Sequence, residues 1–108
     1  MVKNTTYQPS PLSFVYPQNG QSLNYESDYL FKVTPYPDAE GYLWGFFQNG
    51  EYVWENMTEE GTLDGPEYAI LNGTEAHGRF QRGAVEVWVR ASVAGQWTEP
   101  SIIMIYLE

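Results

Sequence analysis

The sequence of 108 residues contains no cysteine, one histidine and only five lysine and arginine residues. Without cysteine there can be no disulfide, no thiolate metal ligand and no cysteine nucleophile. The single histidine, His77, cannot supply the three or four nitrogen or sulfur ligands of a zinc site, and the chain shows no nucleophile–base signature around it. We therefore expect no catalytic residue, no metal site and no cofactor, so the chain is predicted not to be an enzyme.

Positive charge and long apolar runs are also scarce. Asp and Glu number 14, and the formal net charge is −9. Phosphate contacts need clustered Lys and Arg, so we expect no nucleic-acid partner and no attraction to an anionic membrane surface. No apolar run approaches the ~18 residues of a membrane span, so no membrane insertion is expected. The carboxylates lack the D-x-D-x-D-G spacing of a calcium loop and are interpreted as a solvated acidic surface.

The chain is rich instead in turn-forming and strand-forming residues. The chain has ten glycines and seven prolines, and many of them fall in turn signals such as PQNG, PYPDAEG and the pair Asn49 and Gly50, which is typical of a tight hairpin. The runs between them are short and contain many Val, Ile, Tyr, Phe and Trp, and none has helical periodicity. We predict seven strands, at residues 12–16, 29–34, 41–48, 51–55, 67–71, 84–92 and 102–107. This pattern favours an all-β sandwich of two antiparallel sheets with Greek-key connections.

Alternation along the strands assigns side chains to faces. Within residues 84–92, four side chains are predicted to point inward, those of Val85, Val87, Val89 and Ala91, and three outward, those of Glu86, Trp88 and Arg90. The strands at 41–48 and 102–107 differ, because they are apolar on both faces. Antiparallel strands at a surface usually alternate instead.

Three segments carry a family pattern: PLSFVYPQNGQSL, YLFKVTPYPDAEGYLWGFFQNG and RGAVEVWVRASVAGQWTEPS. In this order they resemble a fibronectin type III domain, in the divergent form found in bacteria and phages. The resemblance implies a seven-stranded fibronectin type III-like domain over residues 11–108, preceded by an N-terminal arm at residues 1–10. The sequence departs from the family at Val85, where a tyrosine is common, so the family's tyrosine corner is not implied.

The segment WTEPS at residues 97–101 also resembles a degenerate W-S-x-W-S box of cytokine receptors. In those receptors the Trp stacks between Arg side chains of the neighbouring strand. The resemblance implies a structural clasp in which Arg90 stacks on Trp97, a cation–π contact worth about 0.5–2 kcal/mol. Trp88 shares the face of Arg90 and either extends this stack or lies open for a partner.

Apolar residues on the outward side of the third, sixth and seventh predicted strands form a candidate interaction face. Its members are Leu43, Phe47, Trp88, Met104 and Tyr106. A contiguous exposed apolar patch usually marks a docking surface, although long side chains and loops can also cover such a patch. We expect a protein partner or self-association at this face, with carbohydrate as the alternative ligand, since aromatic rings also stack on sugars.

Two roles follow from these expectations. The first is a non-catalytic structural or adhesive module in an extracellular assembly such as a virion, as a capsid decoration protein or tail accessory. The lack of an apolar stretch of signal-peptide length after Met1 favours this role and a place on the virion surface. The alternative is an accessory fibronectin type III or carbohydrate-binding domain of a secreted bacterial cell-surface protein or polysaccharide-degrading enzyme, which would lie outside the cell or on its surface.

Overall fold

A computed structural model describes residues 12–53, 65–70 and 80–108. Within these ranges all regular elements are β-strands, which confirms the predicted all-β class. They are β1 (Phe14–Tyr16), β2 (Ser22–Leu23), β3 (Tyr29–Val33), β4 (Gly41–Gln48), β5 (Glu51–Tyr52), β6 (Glu67–Ile70), β7 (Gly83–Val93), β8 (Gln96–Trp97) and β9 (Ser101–Leu107). The predicted arm at residues 1–10, His77 and the ends of two predicted strands, at 54–55 and 71, lie outside the described residues. Among the described residues, no helix is long and apolar enough to cross a membrane.

The strands form two open sheets that face each other, as in a β-sandwich. The smaller sheet has the order β1-β3-β6, and the larger has the order β2-β9-β7-β4-β5, with β8 paired to β7. Two details go beyond the prediction of seven strands in two antiparallel sheets. The described residues already contain nine strands, and β2 runs parallel to β9. Because β2 and β8 contain two residues each, they are too short for alternation to reveal them in the sequence.

The core between the sheets consists largely of aromatic rings and β-branched side chains. Phe31 of the smaller sheet packs edge to face on Phe46 of the larger sheet, with ring centroids 4.9 Å apart. Trp44 lies beside Phe31 at a centroid distance of 6.4 Å and is completely buried. Since full burial of one large apolar side chain stabilises a fold by roughly 1.5–3 kcal/mol, these rings contribute strongly to the packing between the sheets.

The alternation predicted for the central strand β7 is confirmed. Val85, Val87, Val89 and Ala91 are at most 1% exposed. The side chains between them, those of Glu86, Trp88 and Arg90, are half-buried on the other side of the sheet. The strand therefore presents one fully apolar side to the core and one mixed side outward.

Two tight turns join neighbouring strands of the larger sheet. Asn49 and Gly50 connect β4 to β5 and have φ values of 57° and 82°, the left-handed conformation required by a type I′ turn. This confirms the hairpin predicted from the NG pair. Ala94 and Gly95 connect β7 to β8 in the same way, with φ values of 53° and 79°. Alanine tolerates this conformation poorly, because its Cβ approaches the following carbonyl oxygen.

The segment between β1 and β2 covers the free side of β9. The Gly20 N–H donates to the Met104 carbonyl at 2.7 Å, and the Tyr106 N–H donates to the Gln21 carbonyl at 3.0 Å. Between them, the Met104 N–H donates to Asn19 Oδ1 at 2.9 Å. These bonds occupy backbone groups that an edge strand would otherwise expose to other chains. The segment that contains the PQNG turn thus protects this edge of the larger sheet.

Two buried polar side chains join distant parts of the chain. The Ser101 hydroxyl donates to the Leu12 carbonyl at 2.9 Å and accepts from the Leu12 N–H at 3.0 Å. The Gln48 amide donates to the Gln81 carbonyl at 2.7 Å and accepts from the Gln81 N–H at 2.9 Å. Each side chain bonds a backbone N–H and a backbone carbonyl that have no partner in a neighbouring strand. These bonds hold in place the residues just before β1 and just before β7.

Candidate interaction face

The outward side of the larger sheet is the candidate site, and we call it the outer face. Strand β7 lies at its centre, with β4 on one side and β9 on the other. Since side chains alternate along a strand and cross-strand partners share a face, the register determines its members. They are Leu43, Phe47, Glu86, Trp88, Arg90, Ile102, Met104 and Tyr106.

All five residues predicted for the interaction face lie on this side of the sheet. Leu43, Phe47, Trp88 and Met104 are half-buried. Tyr106 is 41% exposed. The register thus brings the predicted residues together, while their role in binding a partner stays a prediction.

One prominent member of the outer face was absent from the predicted set. Ile102 lies directly opposite Trp88 and is 48% exposed, more than any of the five predicted residues. The signal was available in the sequence, because Ile102 is two and four residues from Met104 and Tyr106 on the same strand.

Trp88 is held in place by partners on its own sheet. Its ring stacks on Phe47, with centroids 5.1 Å apart and an interplanar angle of 27°. Directly across from Trp88 on β4 lies Gly45, which has no side chain to separate the two rings. The indole N–H donates a hydrogen bond to Glu86 Oε2, two residues earlier on β7. The Trp88 ring and its one polar atom are therefore both engaged within the chain.

Glu86 lies between apolar neighbours at the centre of the outer face. Its cross-strand partners are Phe47 on β4 and Met104 on β9. The carboxylate is half-buried, and within the described part of the chain it forms no ion pair. Because Trp88 binds only one of its two oxygens, the carboxylate keeps acceptor capacity toward solvent.

A depression of about 240 Å³ opens beside Glu86. Phe47 and Met104 contribute apolar residues to its lining, and Asn49 and Gly50 of the β4–β5 turn also line it. Arg82 also lines it. This combination of a carboxylate, an aromatic ring and a thioether suits a ligand with both positive charge and apolar surface.

The predicted clasp of Arg90 and Trp97 stays a prediction. The register places Trp97 opposite Ser92, on the same face as Arg90 and diagonal to it. Trp97 is 44% exposed. A different cation–π contact is present, in which the Arg82 guanidinium lies 4.8 Å from the centroid of the Tyr25 ring.

Arg82 and Tyr25 belong to a polar cluster that the sequence did not indicate. The Tyr25 hydroxyl donates to the Phe80 carbonyl at 2.7 Å, and the Tyr29 hydroxyl donates to the Tyr25 carbonyl. Burial raises the pKa of Tyr29 to about 12, with a further upward contribution from Tyr25 and a smaller downward one from Arg82. The side chains come from segments more than 50 residues apart, so no local pattern could have paired them.

The described residues contain no group of three His, Asp or Glu side chains placed to hold a metal ion. Comparisons of the chain with protein-family models, with curated proteins and with solved structures found no match. The functional argument therefore depends on the geometry of the outer face.

Proposed function

We propose that this chain is a non-catalytic structural or adhesive module that binds another protein through the outer face, in an extracellular assembly such as a virion. The observation that carries the proposal is the apolar character of this face. Ile102 and Tyr106 are each more than 40% exposed. Ile102 lies directly opposite Trp88, which stacks on Phe47, and Met104 lies between Ile102 and Tyr106 along β9. A contiguous apolar patch of this kind on a small domain favours a docking surface.

We further propose a fibronectin type III-like, seven-stranded Greek-key framework. The strand order supports this proposal: β3 and β4 follow each other in sequence but lie in different sheets, and β6 returns to pair with β3. Such crossings between two sheets are typical of Greek-key sandwiches. In this interpretation the two-residue strands β2 and β8 are additions to the framework.

A carbohydrate-binding role in a secreted bacterial protein is the second candidate. It is favoured by two aromatic side chains that remain well exposed, Trp97 at 44% and Tyr106 at 41%. A protein partner is preferred at the outer face because Trp88, its largest ring, already stacks on Phe47 and so offers a sugar less of its surface. Loss of glycan-array binding in Tyr106→Ala would favour the second candidate.

Site-specific photo-crosslinking tests the docking role. A benzophenone side chain is placed at Ile102 on the outer face and, as a matched control, at Leu30 on the outward side of the smaller sheet. The two positions are similarly exposed, at 48% and 42%. Intact assemblies from the natural source should give a crosslink from position 102 to one mapped surface of one protein, and none from position 30. Equal crosslinking from both positions, or none from either, would rule out the outer face as the docking surface.

A further inference from the structure

We propose that the depression beside Glu86 is a socket for a cationic side chain, arginine or lysine, presented by the protein partner. The inference rests on the proposed function, since it identifies the chemistry that the docking surface recognises. The residues that line the socket include Glu86, Phe47, Met104, Arg82, and Asn49 and Gly50 of the β4–β5 turn.

The position of Glu86 is the first argument. A carboxylate flanked by Phe47 and Met104 on the neighbouring strands is partly desolvated by apolar groups. Its Oε2 atom is oriented by the indole N–H of Trp88, which itself stacks on Phe47. A carboxylate held in this way offers a fixed acceptor, and charge-assisted hydrogen bonds to such an acceptor are stronger than those between neutral groups.

The distribution of positive charge is the second argument. Among the described residues the basic side chains are Lys32, Arg82 and Arg90. Lys32 pairs with Glu67 at 3.5 Å, and Arg82 pairs with Glu26 at 3.4 Å. Arg82 lines the depression, but its guanidinium is occupied by Glu26 and by the ring of Tyr25.

Arg90 does not neutralise Glu86 either. The two lie four residues apart on β7 with Trp88 between them on the same face, and within the described part of the chain no ion pair joins them. The net charge of −9 on the whole chain favours association with a cationic partner.

The shape of the depression selects the kind of cation. A bare metal ion needs several oxygen ligands, and the described residues gather no such group. A volume of about 240 Å³ with an aromatic ring and a thioether in its lining suits a long side chain that carries its charge at the end of an apolar stem. Arginine and lysine have this form. A second copy of the chain would bring another strongly acidic surface, so a basic surface on a different protein fits the socket better.

Small-molecule probes test the socket without the partner. N-acetyl-arginine amide is titrated into the protein, and N-acetyl-citrulline amide serves as the uncharged probe of the same shape. Binding is followed by NMR through the indole N–H signal of Trp88 and the methyl signal of Met104. We expect both signals to shift saturably with the arginine probe, with an affinity at least about fivefold higher than for citrulline.

Glu86→Gln is the decisive variant, because glutamine keeps an oxygen that can accept from the Trp88 indole and loses only the charge. It should remove the preference for arginine over citrulline. Glu99→Gln makes the same charge change at an exposed position between β8 and β9 and should leave the preference intact. Equal binding of the two probes, or an unchanged preference in Glu86→Gln, would overturn the socket.

The two proposals fail separately. If position 102 crosslinks a protein while Glu86→Gln changes nothing, the socket is wrong and the docking role stands. If arginine binds through Glu86 while position 102 captures no protein, the docking role is wrong and the cation site stands.

Discussion

Replacing Ser101 with alanine removes the side chain that ties the start of the described chain to β9. Its hydroxyl makes two hydrogen bonds to the backbone of Leu12, one as donor at 2.9 Å and one as acceptor at 3.0 Å. Ser101 is 2% exposed and Leu12 is 3% exposed, so water does not replace these bonds while the segment stays in place. The variant therefore leaves one buried N–H and one buried carbonyl without partners.

Each unsatisfied buried group costs about 1–3 kcal/mol. The protein can avoid the full cost of two unsatisfied groups if residues 12 and 13 detach from β9. Water then hydrates the Leu12 backbone, but the Leu12 side chain loses its packing in the core. Burial of a leucine side chain is itself worth roughly 1.5–3 kcal/mol, so neither route avoids the loss. We expect Ser101→Ala to lower the free energy of unfolding by about 2 kcal/mol and the melting temperature by roughly 10 °C.

Urea denaturation followed by circular dichroism measures this loss, and hydrogen exchange of the Leu12 amide shows whether it arises at the expected place. Ser22→Ala is the matched control, because that hydroxyl is exposed and donates to the Glu108 carboxylate at 2.9 Å. Its removal should cost less than about 0.5 kcal/mol. If Ser101→Ala is as stable as Ser22→Ala, or if exchange at Leu12 does not change, the hydrogen bonds do not anchor this segment.

Two further substitutions test the turn and the tyrosine cluster. Ala94→Asn should raise the free energy of unfolding by about 1 kcal/mol in urea titrations, because asparagine tolerates the left-handed conformation that strains alanine at φ 53°; a decrease would contradict the turn geometry. Tyr29 has a pKa of about 12, whereas tyrosine in an unfolded chain ionises near pH 10. Above pH 10 the Tyr29 hydroxyl therefore ionises in the unfolded state and stays protonated in the folded state. Ionisation stabilises the unfolded state, so the free energy of unfolding falls as the pH rises from about 10 to about 12. Between about pH 9 and about pH 11, wild type should lose roughly 1 kcal/mol more stability than Tyr29→Phe, and parallel curves for the two proteins would refute the shift.

Features that depend on neighbouring residues in sequence could be predicted. The alternation of Val85, Val87 and Val89 identified the core side of β7, and the Asn49 and Gly50 pair identified the hairpin between β4 and β5. The same period-two argument placed the outer-face residues on one side of the sheet. Each of these inferences needs only residues that lie within a few positions of one another.

Features that depend on distant segments could not be predicted. Ser101 and Leu12 are 89 residues apart, and Gln48 and Gln81 are 33 apart. The parallel pairing of β2 with β9 joins segments more than 80 residues apart through two residues each. Serine, glutamine and leucine are common residues without a distinctive spacing, so only the assembled sheets show which of them meet. The same limit applies to the candidate site. Alternation predicted that Glu86 points outward, but its apolar neighbours belong to β4 and β9.

The position of Trp88 changes how the outer face should be probed. A half-buried Trp that stacks on Phe47 and donates to Glu86 already contributes to the stability of the isolated domain. Its replacement by alanine would disturb the sheet and the orientation of Glu86 together, so weaker binding in that variant could not be assigned to a lost partner contact. Ile102 and Tyr106 lack this complication, because both are well exposed and neither is part of the Phe47–Trp88 stack. Affinity for an apolar partner surface should therefore depend on Ile102 and Tyr106, while specificity for a basic partner should depend on the charge of Glu86, and Trp88 supports both by holding the carboxylate in place.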